Sequence, residues 1–180
     1  PFIKQEAISA AGRMELEFLK KRGAVEKIIK LAEATNTGVR IAACNFLGNK
    51  KVEKAIPEIV NRLESDSSDL VREAAAEALG EIGDRDSIRA LRSALNQSSP
   101  AVRITSALAL AKLGSDTGLD TAITAIKSTD YKVRVKACKI IGMVGDESLK
   151  FLLEEALDDY DSRVQRAARR AIKLLEKRTE

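Results

Sequence analysis

Asp69-Leu-Val-Arg-Glu-Ala-Ala-Ala-Glu-Ala-Leu-Gly-Glu-Ile-Gly-Asp84 decides how this chain is read, because near copies of it recur along the sequence. It returns as Pro100-Ala-Val-Arg-Ile-Thr-Ser-Ala-Leu-Ala-Leu-Ala-Lys-Leu-Gly114 and as Tyr131-Lys-Val-Arg-Val-Lys-Ala-Cys-Lys-Ile-Ile-Gly-Met-Val-Gly145. Shorter echoes stand at Val39-Arg40 and Val164-Gln165. The anchoring valines Val39, Val71, Val102, Val133 and Val164 are spaced 32, 31, 31 and 31 residues apart. A fixed period of this size marks a solenoid, in which each unit buries its apolar face against its neighbours.

Three residues before each valine stand Asn36, Ser68, Ser99, Asp130 and Asp161. All are N-cap formers, whose side-chain oxygens meet the unpaired amides of a first helical turn. Pro100 follows Ser99 at the favoured first helical position. A helix therefore begins at the same place in every unit. Counted from the valine, positions +4, +8 and +11 share its face at 100° per residue. In the clearest unit these are Ala75, Leu79 and Ile82, and position +4 is small in every unit: Ala43, Ala75, Ser106, Ala137 and Ala168. Small residues let helices approach closely. Gly83, Gly114 and Gly145 are expected as C-cap glycines, with Asp84, Ser115 and Asp146 opening the next turn.

Between these helices a second apolar face recurs: Val25 and Ile28; Ile59 and Leu63; Leu91 and Leu95; Ile123 and Ile126; Leu152 and Leu157. It predicts a shorter first helix for each pair. From Phe2 to Arg22 the residues Ile3, Ala7, Met14 and Phe18 have helical spacing, Ile8 takes the anchor place, and Leu16 and Leu19 match Leu79 and Ile82. Gly23 closes this stretch. Residues 1–23 are expected as a cap helix or half-repeat, and 24–180 as five repeats of about 31 residues, within one domain over 1–180.

Composition agrees. Aromatics make up 3% and Trp is absent, while small and aliphatic residues carry a hydrophobic content of 44%. That suits packed helices better than a β-sandwich. The chain contains no His, so it can build neither a histidine general base nor a His-ligated metal site. Cys44 and Cys138 each follow their valine by five residues, a place Ala76 and Ala107 fill elsewhere. They read as buried packing residues, too far apart along a solenoid for a disulfide. No apolar run is long enough to span a bilayer, and reduced cysteines with no targeting signal point to the cytoplasm. The chain begins with Pro rather than Met, as an excised piece would. The net charge of +4 permits acidic partners without demanding them.

The pattern Val-Arg-x-x-Ala-x-x-Ala-Leu-Gly-x-Ile-Gly-Asp, nearly intact at Val71–Asp84, resembles the HEAT-like repeats of the short phycobilin-lyase type. The resemblance implies an all-α, right-handed α-solenoid of HEAT-like helix pairs, an armadillo-like α-α superhelix. It also implies an Asp in the inter-helix turn facing the repeat arginine. Asp66 and Asp159 fit that position, whereas Ala34, Gln97 and Ser128 depart from it.

Arg40, Arg72, Arg103 and Arg134 align one per repeat. They could form a basic ladder for an acidic ligand; the reading favoured by the resemblance is structural, with the guanidiniums bonded to turns. Positions +2 and +6 point away from the core. They read Ile41, Glu73, Ile104, Val135, Arg166 and Asn45, Glu77, Leu108, Lys139, Arg170. If the second helices line the concave surface, as in HEAT-like arrays, these residues form a partner face, acidic at one end and basic at the other. Ile104, Leu108 and Val135 are its expected apolar anchors, unless they pack sideways on adjacent helices. The last helix adds a basic stripe: Arg163, Arg166, Arg170, Lys173 and Lys177.

No catalytic, cofactor or metal constellation emerges. The reading is a non-enzymatic scaffold that binds another protein on the concave face. The alternatives are a bilin lyase or isomerase-type subunit, as the resemblance suggests, and nucleic-acid or phosphate binding through the basic last helix. Aromatic stacking residues are missing from that helix, which argues against single-stranded nucleic acid.

Overall fold

The computed structural model describes residues 2–14, 17, 19 and 23–179. All regular elements among them are helical, and they fall into two compact units, Pro1–Ala90 and Leu91–Glu180. The first unit contains α1 (Phe2–Ala11), α2 (Ala24–Leu31), α3 (Thr37–Asn49), α4 (Ile56–Ser65) and α5 (Asp69–Ile82). The second contains α7 (Pro100–Lys112), α8 (Leu119–Ala125), α9 (Tyr131–Val144), α10 (Lys150–Glu155) and α11 (Ser162–Thr179), and α6 (Ile88–Ala94) carries the boundary. The even-numbered first helices have 6 to 10 residues, and the second helices from α3 onward have 13 to 18.

Every second helix starts one residue after its expected cap. The side chains of Asn36, Asp130 and Asp161 accept from the amides of Val39, Lys132 and Arg163 at 3.1, 2.8 and 2.8 Å. Ser68 and Ser99 occupy the cap position without making that bond. There the first turn closes through the backbone, with Arg72 and Arg103 amides donating to the Ser68 and Ser99 carbonyls at 3.1 and 3.0 Å.

The anchor valines Val39, Val71, Val102 and Val164 are at most 1% exposed, while Val133 is half-buried. All five +4 residues are fully buried, and so are Leu47, Leu79, Leu110 and Ile141 at +8. Each such leucine or isoleucine contributes about 1.5–3 kcal/mol by leaving water. Cys44 and Cys138 are free, fully buried thiols, and burial pushes them up to about 12 and about 11. A thiol held protonated in apolar surroundings is a packing group, not a nucleophile.

Small residues also permit contacts the sequence pattern did not announce. A Cβ added to Gly48 would stand 2.6 Å from the Ala78 Cα, and one added to Gly142 would stand 2.6 Å from the Ala171 Cα. These glycines set the spacing of α3 on α5 and of α9 on α11.

Two helix ends differ from expectation. The helix expected over Phe2–Arg22 stops at Ala11, and Gly12–Met14 form a turn whose Arg13 and Met14 amides bond back to Ala10 and Ala11 at 3.1 and 3.0 Å. Glycine inside a helix costs about 1 kcal/mol against alanine, which makes Gly12 the weak point. Ile8 is buried as an anchor, whereas Met14 is 39% exposed, and Leu16 and Phe18 lie outside the described residues.

At the other end, Gly83 and Gly114 adopt left-handed φ values of 85° and 78°, but Gly145 has φ −72° and does not. The carbonyls that end α9 are met instead by Arg178, which donates to Gly142, Met143 and Gly145 oxygens at 3.0, 2.7 and 2.9 Å. Arg178→Ala is expected to cost about 1–2 kcal/mol, through lost charge-assisted bonds at a helix C-terminus. Thermal denaturation followed by circular dichroism would show it as a drop of a few degrees, and an unchanged midpoint would refute it.

Candidate functional site

The positions that repeat and the positions that vary lie on different sides of the second helices. The arginine row belongs with the repeating side. Arg40 donates to both carboxylate oxygens of Asp66 at 2.8 Å, and its remaining terminal nitrogen reaches the Ala34 and Thr35 carbonyls at 2.9 and 3.0 Å. Arg134 repeats this on Asp159 at 2.7 and 2.9 Å and on the Ser128 and Thr129 carbonyls at 2.8 and 3.0 Å. Both arginines are buried. Arg103 donates to the Gln97 and Ser98 carbonyls at 2.9 and 2.7 Å, and Arg72 to the Asp66 carbonyl at 2.6 Å and to the Asp69 carboxylate. Gln165 makes the corresponding bond to the Asp159 carbonyl at 2.7 Å. The carbonyl bonds tie each second helix to the turn before it, and the Asp66 and Asp159 carboxylates tie the helices of Arg40 and Arg134 to the turn of the following unit as well.

The hydrogen bonds from Arg134 hold the Asp159 carboxyl below its ordinary range. For Asp66, burial raises the pKa, but the bonds from Arg40 and the Ser68 amide outweigh it and the net shift is downward.

The varying positions +2 and +6 separate into two sets, one in each unit. In the first unit, Ile41 and Asn45 line a groove of about 400 Å³ between α1 and α3, with Gln5, Ser9 and Asn49. Asn45 also lines a smaller cleft of about 220 Å³ between α3 and α5, with Asn49, Glu77 and Glu81. Glu73 is half-buried and Glu77 exposed.

In the second unit, Val135, Lys139, Arg166 and Arg170 come together along a groove of about 410 Å³ between α9 and α11. Ile104 does not join them. It is 1% exposed and belongs to the hydrophobic cluster that includes Ala107, Cys138 and Ile141, so it cannot anchor a partner. It packs sideways, and Leu108 is half-buried against the same cluster.

Besides the buried alanines Ala167 and Ala171, two groove residues escaped the sequence reading: Met143 and Leu174, the latter 47% exposed. Both sit at +10, as do Asn49 and Glu81 in the first unit. A further step of four residues along the +2, +6 stripe would have found all of them.

The groove of the second unit is basic. No carboxylate lines it, and Lys139, Arg166 and Arg170 are exposed with no carboxylate partner among the described residues. Arg163, at its edge, is already committed. It bonds Asp161 at 2.9 and 2.7 Å, draws that carboxyl down to about 2, and stacks 3.4 Å from the centre of the Tyr131 ring. Lys173 and Lys177 continue the row onto a shallow surface of α11 beside Leu174 and Glu176. Among the described residues, no group of three or more Cys, Asp or Glu side chains could hold a metal ion, and no helix is long and apolar enough to cross a membrane.

Repeated helix pairs with a buried, regular side and a variable outer side define an α-solenoid repeat protein. The chain belongs to the HEAT-repeat family: HEAT repeats match residues 1–80, 25–99, 56–122 and 90–173. No curated protein matches it. Among solved structures it is similar to an engineered protein, with 22% identity, TM-score 0.69, and coverage of 97% of this chain and 89% of that one. It is similar to the complex of CpcE and CpcF of phycocyanin lyase from Nostoc sp. PCC7120, with 24% identity, TM-score 0.65, and coverage of 85% and 65%. It is also similar to a designed armadillo repeat protein in complex with the peptide (KR)4, with 19% identity, TM-score 0.65, and coverage of 95% and 91%.

Proposed function

We propose that this chain is a non-enzymatic scaffold that holds a protein partner on the side of its second helices carrying positions +2, +6 and +10. One observation carries the reading. The +2, +6 and +10 residues that differ from repeat to repeat line the grooves on that side, beside small residues such as Gly48, Ala78, Ala167 and Ala171, while the anchor valines from Val39 on and the repeat arginines line none of them. Side chains that hold the fold are fixed by packing; those free to vary over an open groove are the ones that can select a ligand. A designed armadillo repeat protein of similar fold, solved in complex with the peptide (KR)4, supports the reading of such an array as a peptide holder. Likeness at 24% identity to a phycocyanin lyase pair carries the fold but no chemistry, and it leaves the bilin-lyase alternative open.

The test is a photo-crosslinking amino acid placed in turn at Glu77, at Lys139 and at Phe151, an exposed residue of α10. In the native cell, crosslinks to a common protein are expected from Glu77 or Lys139 and not from Phe151. Crosslinks from Phe151 alone would place the partner on the first helices and overturn the proposal.

A further inference from the structure

The charge of the groove between α9 and α11 is one-sided enough to define a ligand class. We infer that it binds an acidic, amphipathic peptide segment of a partner protein, with carboxylates on the basic rim and aliphatic side chains on the apolar floor. This rests on the scaffold reading above and narrows it.

The apolar lining, its floor, is Val135, Met143, Leu174 and the buried Ala167 and Ala171, and the uncommitted cations, its rim, are Lys139, Arg166 and Arg170. Arg166 and Arg170 stand four residues apart on α11, where like charges repel. With no carboxylate partner among the described residues, that repulsion stays unmet until an anion arrives. Leu174 stays 47% exposed beside these cations. An acidic segment with apolar side chains answers both features at once, by relieving the repulsion and covering the leucine. The volume of about 410 Å³ lies at the small end of ligand clefts, suited to side chains projecting from a peptide.

A nucleic-acid backbone would satisfy the rim, but it has nothing apolar to place against Val135, Met143 and Leu174, and no aromatic residue among those lining the groove offers a stacking surface. The free cations come from both helices that border the groove, Lys139 from α9 and the two arginines from α11. They therefore favour a segment with several carboxylates over a single small anion.

The whole chain is panned against a random-peptide library, and enriched peptides are measured by fluorescence anisotropy. Enrichment of Asp and Glu interleaved with aliphatic residues is expected. Binding should fall about tenfold or more in the double variant Arg166→Glu with Arg170→Glu, about threefold in Leu174→Ser, and less than twofold in Lys127→Glu, an exposed charge control. Lys139→Glu serves if the double variant loses helical content by circular dichroism.

Enrichment of neutral or basic peptides, acidic peptides indifferent to both sets of reversals, or no enrichment at all would each overturn the inference. The crosslinking outcome judges the scaffold reading separately, since a partner held at Glu77 would leave that reading standing. Duplex DNA that binds with the same loss in the double variant, yet ignores Leu174→Ser, would assign the rim to phosphates instead.

Discussion

Gly142→Ala is expected to destabilise the protein by about 1–3 kcal/mol, although the same change in an open helix stabilises it by about 1 kcal/mol. The sign is set by one contact. A Cβ at position 142 would lie 2.6 Å from both the Cα and the Cβ of Ala171, distances at which atoms overlap, so α9 and α11 must separate. Separation opens a gap along a seam that includes Ile141, Val164 and Ala168, all fully buried, and close-packed interiors relax only partly. Gly142→Val enlarges the clash and is expected to abolish the cooperative thermal transition of this unit. Gly48→Ala is the matched case in the first unit, since its Cβ would meet the Ala78 Cα and Cβ at 2.6 and 2.9 Å. Urea denaturation followed by circular dichroism measures both. A Gly142→Ala midpoint at or above that of the parent would show that the helices yield and that this contact does not set their spacing.

What sequence could and could not supply follows from range. The N-caps, the anchor valines and the small +4 residues are set by interactions within a turn or two, and Asn36, Val71 and Ala75 announce them directly. The family resemblance implied an Asp in the inter-helix turn facing the repeat arginine; that Arg134 pairs with Asp159, in the turn of the following unit, is seen only in the structure. The Gly142–Ala171 approach depends on how two helices cross, which no single-helix pattern encodes. A signal existed nonetheless, because position +9 reads Gly48, Gly80, Ala111 and Gly142. Ile104 failed for the same reason. A helical wheel shows it pointing away from Val102 but cannot show that a neighbouring helix covers that side. Gly145 is the opposite case, a glycine whose left-handed role was expected from position and is displaced by Arg178, a residue 33 positions later. The charges of the proposed partner face were thus legible in the sequence, and which of its members reach solvent was not.

Asp159→Asn is expected to cost about 3 kcal/mol at neutral pH, because it leaves Arg134 buried without its counter-ion. Arg134 is 4% exposed and its guanidinium donates two bonds to that carboxylate; its bonds to the Ser128 and Thr129 carbonyls and its stacking 4.4 Å from the centre of the Tyr160 ring replace hydrogen bonds but not charge. Arg134→Met combined with Asp159→Leu should cost far less than either single change, since desolvating an ion pair offsets much of its attraction. Acid removes the same interaction without mutation. The hydrogen bonds from Arg134 depress the Asp159 pKa in the folded state below the ordinary aspartate value of about 3.9. A carboxyl depressed on folding stabilises fully above its unfolded pKa, and that contribution is lost as the pH falls through the folded value. Asp66, whose net shift is also downward, adds an acid-labile contribution of the same sign in the first unit. The difference in urea midpoint between the parent and Asp159→Asn should therefore be constant from neutral pH down to about 5, and should shrink below about 4 as the parent loses its own charge pair. A difference that stays the same into strong acid would mean that the carboxylate at position 159 acts by shape and hydrogen bonding alone.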